Sequence, residues 1–311
     1  MKILITGPLG HIGSRFIHSI KPGQFEEVRL IDNLSTQRYS SLFNLPKGVK
    51  FKFYEDDICT ADLDAYFMDI DVVVHLAGIT DAASSVNKRD IVEEVNFFGT
   101  EKVARACIKN KCKLIFPSTT SVYGSQEEVV DENCPIEELK PQSPYATSKL
   151  QAEQMLEELG KTKNLRFITC RLGTIFGISV GMRFHTAVNK FCWQAVMGQP
   201  ITVWRTALNQ YRPYLDLGDA VEAFGFIIQE NLFDRNIYNV LTTNVTVQGI
   251  IDVIREYVPD LSIKYVDTEI MNQLSYNVSD DRFKGTGFIP RGNMKKAIGE
   301  TVNLLKAANV C

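Results

Sequence analysis

The chain has 311 residues, of which 45% are hydrophobic and 23% charged, and its formal net charge at pH 7 is −3. This composition is that of an ordinary soluble globule, and the acidic balance excludes the basic surface that nucleic-acid binding needs. No apolar run approaches the roughly 20 residues that cross a bilayer, and the seven cysteines are scattered without a CxxC pair, which predicts reduced thiols in a cytoplasm and no metal site.

Short β-rich runs alternate with helical patterns through the first half of the chain. Strands are predicted at residues 2–6, 27–32, 49–55, 71–78, 112–118 and 165–172, and helices at 91–110 and 144–161. The strand runs have little polar alternation, which indicates burial on both faces, and the helices between them favour parallel pairing. We therefore predict an α/β fold, with a Rossmann-like doubly wound parallel sheet.

The pattern changes after about residue 172, where the elements become shorter and the loops are rich in Gly, Pro, Asn and Asp. We interpret residues 173–213 and 241–311 as a smaller C-terminal α/β lobe that binds the substrate. The stretch YLDLGDAVEAFGFIIQE, residues 214–230, indicates a return to the first domain. That domain is expected to comprise residues 1–172 plus about 214–240.

Glycines directly follow the first predicted strand. The stretch ILITGPLGHIG places Gly7, Gly10 and Gly13 between this strand and a helix. Glycine there permits a tight turn and the close approach of the backbone to a pyrophosphate, which the N–H groups of the helix N-terminus would attract. The spacing GxxGxxG after a strand predicts a dinucleotide site, in which we expect His11 and Ile12 to take part.

An acidic residue ends the second predicted strand. Asp32 follows Gly13 by 19 residues, close to the interval expected for a carboxylate that binds the adenosine ribose. Because such a carboxylate would repel the 2′-phosphate of NADP, NAD is favoured. The other expected cofactor-binding residues follow strands or lie on the next helix, and they are Asn33, Asp57, Ile58, Leu76, Ala77, Gly78 and Asn96.

A phenol and an ammonium lie four residues apart in SPYATSKLQAE. Tyr145 and Lys149 would therefore share a helix face. A cation near a phenol favours the phenolate and lowers the phenol pKa, so the pair could move a proton. The fifth strand runs into PSTTSVYG, whose Ser118 and Thr119 would emerge at the edge of the sheet where the cofactor is expected.

These motifs occur in a recognisable order. TGPLGHIG, DNLS, DDI, HLAG, STTSVYG, PYATSK and RPYLDLGDA span residues 6 to 220. The set resembles the extended short-chain dehydrogenase/reductases, in particular their nucleotide-sugar epimerase/dehydratase branch. The resemblance implies that Thr119 hydrogen-bonds the reacting sugar oxygen, that Tyr145 is the acid/base, and that Lys149 holds the nicotinamide ribose of NAD and lowers the phenol pKa.

The resemblance also bears on the reaction. In the dehydratase branch an Asp-Glu pair follows the catalytic threonine, whereas this chain has Thr120 and Ser121. Their hydroxyls are not carboxylic acids, which disfavours 4,6-dehydration and favours a 4-epimerase that works through a transient 4-keto sugar. A nucleotide-sugar 4-dehydrogenase or ketoreductase is the alternative within the enzyme class. A non-catalytic NAD-binding regulator is the alternative outside it, although a regulator needs none of the three catalytic side chains.

The substrate lobe matches the family only in part. Arg212 is expected to pair with the diphosphate of a nucleotide-diphosphate sugar, and Asn189 to offer its amide to the nucleotide. The remaining candidate substrate-binding residues are Thr80, Thr119, Thr120, Thr174 and Arg183. A late Arg-x-Gly-Asp clamp is not recognisable in residues 270–282, so the sugar and the base stay open.

The resemblance further implies a homodimer. Family members commonly pair through the two helices that correspond here to residues 91–110 and 145–160, which together form a four-helix bundle. The first of these helices carries enough apolar residues to face both the sheet and a partner.

Overall fold

The computed structural model of the protein describes residues 1–124, 129–266 and 276–308, without the side chains at 83 and 84. The strands are β1 Lys2–Thr6, β2 Glu27–Asp32, β3 Phe51–Glu55, β4 Val72–His75, β5 Lys113–Thr119, β6 Val129–Val130, β7 Phe167–Leu172, β8 Thr174–Phe176, β9 Ile201–Trp204, β10 Tyr211–Asp216, β11 Ile237–Val240, β12 Thr243–Thr246, β13 Ile263–Val266 and β14 Asn277–Val278. The α-helices are α1 His11–Ser19, α2 Leu63–Phe67, α3 Ala82–Ser85, α4 Arg89–Glu93, α5 Gly99–Asn110, α6 Pro144–Lys163, α7 Ala187–Val196, α8 Leu217–Gln229, α9 Val247–Tyr257, α10 Asp281–Lys284 and α11 Met294–Lys306.

Seven strands among the described residues form one parallel sheet. Their order is β11-β7-β5-β4-β1-β2-β3, and every neighbouring pair is parallel. The order reverses between β1 and β4, which creates a crevice outside the carboxyl ends of these strands. The predicted α/β fold with a doubly wound parallel sheet is therefore confirmed.

Hydrophobic clusters cover both faces of this sheet. On one face the inward side chains of the strands pack with α1 and α8, and on the other with α2, α5 and α6. This two-sided burial explains why the strand runs are apolar almost throughout, since neither face meets water. Each of the four residues of β4 is buried.

The remaining strands form smaller sheets. β12, β10 and β8 make one sheet, β9 pairs with β13, and β6 pairs with β14. A separate hydrophobic cluster joins α7, α9 and α11. By contrast, α8 and β11, which come from the stretch around residues 214–240, pack on and pair within the large sheet.

Helix bounds follow local sequence signals. Helix α6 begins because Ser143 accepts a hydrogen bond from the backbone N–H of Ala146 at 3.2 Å and because Pro144 stands in the first turn. It ends at Asn164, which adopts a left-handed φ of 58°. The helix predicted at 91–110 consists of α4, a π-helical turn Glu94–Phe98 and α5.

A buried ion pair fixes α6 against the sheet. Arg171 on β7 donates through Nη2 to Glu153 on α6 at 2.7 Å, and the Ser118 hydroxyl on β5 donates to the same carboxylate. Both charged side chains are 3% exposed. The guanidinium also lies 4.8 Å from the ring centre of Tyr123. The helix that carries Tyr145 is thus held at the carboxyl ends of two strands.

We predict that Glu153→Gln lowers the free energy of unfolding by about 3–5 kcal/mol, because it leaves the Arg171 charge buried without a counter-charge. Urea denaturation measures the change. The matched control is Glu157→Gln on the same helix, since Glu157 pairs with Lys161 where both side chains are more than half exposed. That control should change stability by about 0.5 kcal/mol or less. Equal losses in the two variants would contradict the role given to the buried pair.

Candidate active site

A cavity of about 810 Å³ lies along the carboxyl edge of the seven-stranded sheet. This volume suits a cofactor together with a small substrate. Most of the predicted site residues line it, namely Gly7, Gly10, His11, Ile12, Gly13, Asp32, Asn33, Asp57, Ile58, Leu76, Ala77, Gly78, Thr80, Thr119, Tyr145, Lys149, Thr174, Arg183 and Arg212.

Asn96 and Thr120, two of the predicted ligand-binding residues, form hydrogen bonds within the protein. Asn96 is buried, and its amide accepts from the N–H of Ile79 at 2.8 Å and donates to the carbonyl of Ile79 at 2.9 Å. Thr120 is buried as well, and its hydroxyl donates to the carbonyl of Leu172 at 3.3 Å. Neither residue lines the cavity; each holds a backbone segment that does line it, and direct contact of either side chain with a ligand stays a prediction.

Asn189 also forms its hydrogen bonds within the protein. Its side chain is fully buried, and its amide donates to the carbonyl of Arg183 at 3.1 Å and accepts from the N–H of Gly177 at 3.3 Å. The amide is therefore used to shape the loop of residues 177–185, which carries Arg183 into the cavity. A sequence position alone could not show that this amide points inward.

The three glycines of the glycine loop differ in how much space surrounds them. Gly7 has a left-handed φ of 65°, and a Cβ there would lie 2.6 Å from the backbone nitrogen of Ala77. A Cβ at Gly13 would lie 2.6 Å from the backbone of Pro8. A Cβ at Gly10 would meet only the carbonyl oxygen of Gly7, at 3.4 Å. Gly7 and Gly13 are thus required for packing, whereas Gly10 leaves open the side of the loop that faces the cavity.

Polar atoms without partners point to an anionic ligand beside this loop. Nε2 of His11 and Nη1 of Arg38 are buried and have no hydrogen-bond partner within the described residues, and both side chains line the cavity. Burial, followed by the charges of Arg183 and His185, lowers the pKa of His11 to about 3. A diphosphate would satisfy these nitrogens. Arg38 was missed by the sequence analysis, although it stands only six residues after Asp32.

Asp32 lies at the end of β2 between two loops. Its carboxylate accepts from the backbone N–H of Leu9 at 3.2 Å and of Leu34 at 3.0 Å, so it ties the glycine loop to the turn after β2. Burial raises its pKa, and these two hydrogen bonds oppose that rise. A carboxylate has about four acceptor positions, and the remaining ones are available to a ribose hydroxyl in the cavity.

The loop of residues 177–185 rests on the glycine loop. The N–H of Gly181 donates to the Ser14 hydroxyl at 2.9 Å, and a Cβ at Gly181 would lie 2.6 Å from the carbonyl oxygen of Gly10. This contact fixes the position of Arg183, whose Nη1 donates to the Thr80 hydroxyl. The contact between the two loops thus places the guanidinium of Arg183 beside Thr80, at the end of the cavity where the predicted catalytic residues lie.

The three predicted catalytic side chains meet at that end. Thr119 is the last residue of β5, and its hydroxyl, which accepts from the backbone N–H of Ser121 at 3.1 Å, lines the cavity together with the phenol of Tyr145. Lys149 lies one turn further along α6, donates through Nζ to the carbonyl of Pro117 at 2.9 Å, and lies 4.6 Å from the ring centre of Phe116. All three candidates line the same cavity.

The protonation of Tyr145 differs from the sequence-based expectation. Burial raises the pKa of Tyr145 to about 12, against the opposing effects of the nearby Thr119 side chain and of the charge of Arg183. Burial also lowers the pKa of Lys149 to about 8. The expected lowering of the phenol pKa by Lys149 is therefore not achieved by the protein alone, because the loss of hydration outweighs the nearby cations.

Some kinds of site are not seen in the part of the chain that the structure describes. There, no group of three or more His, Cys, Asp or Glu side chains is arranged to hold a metal ion. No helix among the same residues has the length and apolar character needed to span a membrane.

The chain matches a family model described as the NAD dependent epimerase/dehydratase family over residues 3–240. It is 27% identical over 317 residues to the trifunctional UDP-glucose 4,6-dehydratase/UDP-4-keto-6-deoxy-D-glucose 3,5-epimerase/UDP-4-keto-L-rhamnose-reductase of Arabidopsis thaliana, covering 96% of this chain but only 46% of that protein. The chain thus spans about half the length of this relative.

Shorter relatives and solved structures are also similar. The chain is 30% identical over 240 residues to the UDP-glucose 4-epimerase of Azospirillum brasilense, covering 71% of this chain and 66% of the relative. Its fold superimposes with a TM-score of 0.84 on the crystal structure of the Thermus thermophilus UDP-glucose 4-epimerase complex with NAD, at 26% identity, covering 99% of this chain and 100% of that one.

We predict that Gly10→Ala weakens the binding of NAD⁺ by about tenfold or more while leaving thermal stability nearly unchanged, since its methyl group would fill the cradle without a clash inside the protein. Isothermal titration with NAD⁺ and thermal unfolding measure the two effects. Gly7→Ala is the matched comparison and should cost about 2 kcal/mol or more of stability, because of its left-handed φ and its contact with Ala77. Unchanged affinity in Gly10→Ala would contradict the placement of the cradle.

We also predict that the Tyr145 phenol of the cofactor-free protein keeps its proton up to pH 10.5, because its pKa of about 12 lies above that range. Tyrosinate absorbance is compared between the wild type and Tyr145→Phe from pH 8 to 10.5, and the two curves should coincide. Bound NAD⁺ should separate them, since a nearby positive charge favours the phenolate. A difference of half a tyrosinate at pH 10 without NAD⁺ would mean an ordinary pKa of about 10 and would contradict the assignment.

Proposed function

The chain belongs to the NAD-dependent epimerase/dehydratase family, and from this premise we propose that it is an NAD-dependent oxidoreductase and isomerase of nucleotide-activated sugars, a 4-epimerase that works through a transient 4-keto sugar. The observation that carries this proposal is that Thr119, Tyr145 and Lys149 line one cavity together with the glycine loop.

The residues around the glycine loop fit NAD. Gly10 leaves space for the diphosphate, His11 and Arg38 offer unpartnered nitrogens to it, and Asp32 would accept from a ribose hydroxyl. When bound, NAD⁺ would accept hydride from the sugar carbon and return it. We assign NAD binding to residues 1–172 plus about 214–240, and substrate binding to residues 173–213 and 241–311.

Tyr145 is the proposed acid/base. It would take the proton of the reacting hydroxyl while Thr119 donates to or accepts from the same oxygen, and it would return that proton when the ketone is reduced. Lowering a pKa of about 12 to the neutral range requires roughly 7 kcal/mol of preference for the phenolate. Arg183 and Lys149, together with the charge of the oxidised cofactor, are the cations available for this. The base is therefore expected to become competent only after NAD⁺ binds.

The substrate end has features that suit a nucleotide-diphosphate sugar. Arg212 lines the cavity, and its forked donors match a diphosphate. Thr80, Thr174 and Arg183 also line the cavity and can contact the sugar. Epimerisation is favoured over dehydration because Ser121, the only cavity-lining residue of the Thr-Ser pair after Thr119, is a hydroxyl and not a carboxylic acid. A 4-dehydrogenase or ketoreductase would use the same catalytic trio.

A homodimer in the cytoplasm is also proposed. Phe98, on the first of the two helices expected to pair, is 54% exposed although it is large and apolar, and it does not line the cavity. A partner would cover it. The six cysteines among the described residues are free thiols, which supports a reducing compartment.

We predict that Tyr145→Phe lowers turnover of the preferred nucleotide sugar by about 10²–10⁴-fold while NAD⁺ affinity is retained, because only the proton-transfer group is removed. A panel of UDP-, GDP-, dTDP- and CDP-sugars, followed by NMR, identifies the substrate and the product. Tyr265→Phe is the control, since Tyr265 is 40% exposed and lies outside the cavity. Turnover like that of the wild type in Tyr145→Phe would remove this residue from the mechanism.

The same panel distinguishes the alternatives. An epimerase yields an isomer without net NADH and keeps a deuterium that was placed at sugar C4. A dehydrogenase or a reductase instead needs a stoichiometric oxidant or reductant. A protein that binds NAD⁺, turns over no sugar nucleotide, and is unaffected by Tyr145→Phe in binding a partner would be a regulator.

A further inference from the structure

A buried histidine at the end of β4 takes no part in the proposed mechanism. His75 is 0% exposed, and both of its ring nitrogens form hydrogen bonds within the protein. Nδ1 lies 2.7 Å from the hydroxyl of Thr6, the last residue of β1, and Nε2 lies 3.0 Å from the hydroxyl of Thr100 on α5. The imidazole therefore connects the strand that leads into the glycine loop with a helix that covers the sheet.

The partners of the two hydroxyls determine which ring nitrogen carries the proton. The Thr100 hydroxyl lies 2.6 Å from the backbone carbonyl oxygen of Asn96, and since a carbonyl oxygen can only accept, the Thr100 proton points there. Thr100 must then accept from Nε2–H of His75. On the other side, the backbone N–H of Ala77 donates to the Thr6 hydroxyl at 3.2 Å, which leaves the Thr6 proton for Nδ1. His75 is thus neutral with its proton on Nε2, and every donor in this chain of hydrogen bonds has an acceptor.

The surroundings of the imidazole keep it neutral. Its ring stacks on that of Phe116 with the ring centres 6.3 Å apart, and Nζ of Lys149 lies 4.6 Å from the same Phe116 ring centre. Burial, followed by the charge of Lys149, lowers the pKa of His75 to about 3. A second ring proton would also point an Nδ1–H at the Thr6 hydroxyl, which already accepts from Ala77. The direction of the hydrogen bonds is therefore the same throughout the neutral pH range.

One end of this chain of hydrogen bonds lies in the wall of the cofactor crevice. Thr6 immediately precedes Gly7, and a Cβ at Gly7 would lie 2.6 Å from the backbone nitrogen of Ala77, so the glycine loop and the turn after β4 are packed together. Ala77 and Gly78 of that turn line the cavity. The hydrogen bonds around Thr6 therefore fix the spacing of two backbone segments that flank the crevice.

The other end reaches the helix that carries Tyr145. Asn96, whose carbonyl ends the chain on this side, lies in the π-helical turn before α5, a local geometry that is frequent at functional sites. Its side-chain amide donates to the Ser148 hydroxyl at 3.2 Å, and that hydroxyl donates to the backbone carbonyl of Tyr145 at 2.9 Å. A path of hydrogen bonds thus runs from the crevice wall through His75 to the first turn of α6.

We propose that His75 is a positioning residue: as the neutral imidazole protonated at Nε2, it holds the strand before the glycine loop, the turn after β4 and the helix that carries Tyr145 in one arrangement, and the binding of NAD depends on this arrangement. Because the imidazole is itself buried, it acts through Thr6 and Thr100. The inference rests on the proposed function only where it treats Tyr145 as the acid/base.

The first test measures the tautomer in the wild type. The chain has four histidines, so the ring nitrogens of each can be observed by NMR in protein labelled with ¹⁵N-histidine. We expect His75 to carry a proton on Nε2 and none on Nδ1 from pH 6 to pH 9. Its signals are assigned by elimination with variants of the other three histidines, His11→Gln, His18→Gln and His185→Gln. A proton on Nδ1, or a titration of the ring within this range, would overturn the inference.

The second test breaks the chain of hydrogen bonds on either side of the imidazole. Thr6→Val and Thr100→Val remove the hydroxyl and nearly keep the shape of the side chain, and each should weaken NAD⁺ binding by about tenfold in isothermal titration. Because both act through His75, the double variant should also lose about tenfold, instead of the roughly hundredfold that independent effects would give. Thr169→Val is the matched control and should leave NAD⁺ affinity unchanged, since Thr169 is 0% exposed on β7 and its hydroxyl has no hydrogen-bond partner among the residues that the structure describes.

The remaining outcomes of the second test are also decisive. Lower thermal stability with unchanged NAD⁺ affinity would mean that the hydrogen bonds serve only the fold, and a loss of roughly hundredfold in the double variant would mean that the two hydroxyls act independently; either result overturns the inference. If the valine variants do not fold, the ring signals of His75 in the wild type decide: they should shift when NAD⁺ binds, and unchanged signals would contradict the positioning role. Neither test uses a sugar, so a failure of the proposed function leaves both tests valid.

Discussion

The cost of ionising a partly buried phenol is the constraint on which this site depends. Burial takes the pKa of Tyr145 to about 12, so the group that would accept a proton holds its own proton firmly. Three nearby features can stabilise the phenolate and lower this pKa: the hydroxyl of Thr119, the charge of Arg183, and a cationic cofactor in the neighbouring crevice. Since the protein provides only part of this stabilisation, Tyr145 is expected to become a competent base only when NAD⁺, the oxidant, is bound.

Rigid support behind the site makes this arrangement possible. Glu153 lies four residues after Lys149 on the same helix, and its charge raises the pKa of Lys149 against the effect of burial. The same carboxylate is held by Arg171 and by Ser118. One buried anion thus fixes the helix, fixes the end of β5, and helps to keep the ammonium charged. These three effects would be difficult to combine in a solvated surface ion pair, where side chains move and salt screens the charge.

Local patterns in the sequence predicted the parts of the fold that depend on local physics. The bounds of β1 and β2 agree with the runs at residues 2–6 and 27–32, because a buried parallel strand is apolar on both faces. The run at residues 71–78 was predicted too long: β4 ends at His75, where the chain turns along the cavity. The glycine loop could be predicted from the spacing of its three glycines, because a few neighbouring residues specify the geometry of the loop.

Local patterns in the sequence did not indicate the directions of side chains at the site. Asn96, Thr120 and Asn189 have residue types that suit ligands, but their side chains form hydrogen bonds with backbone groups that lie 17, 52 and 6 residues away, respectively. Tyr276 lines the cavity but was not among the predicted site residues. It reaches the site through the pairing of β14 with β6, across almost 150 residues, and no motif around it signals that pairing.

The contact of Gly181 with the glycine loop has a thermodynamic consequence. The segment that carries Arg183 toward the sugar is supported by the same backbone that would enclose the dinucleotide. A ligand that stiffens this shared support changes the affinity of the protein for a second ligand in the same cavity. Thermodynamic linkage requires that each ligand change the affinity of the other by the same factor. NAD and the proposed sugar nucleotide are therefore expected to bind as a cooperative pair, with each ligand at its own end of one cavity.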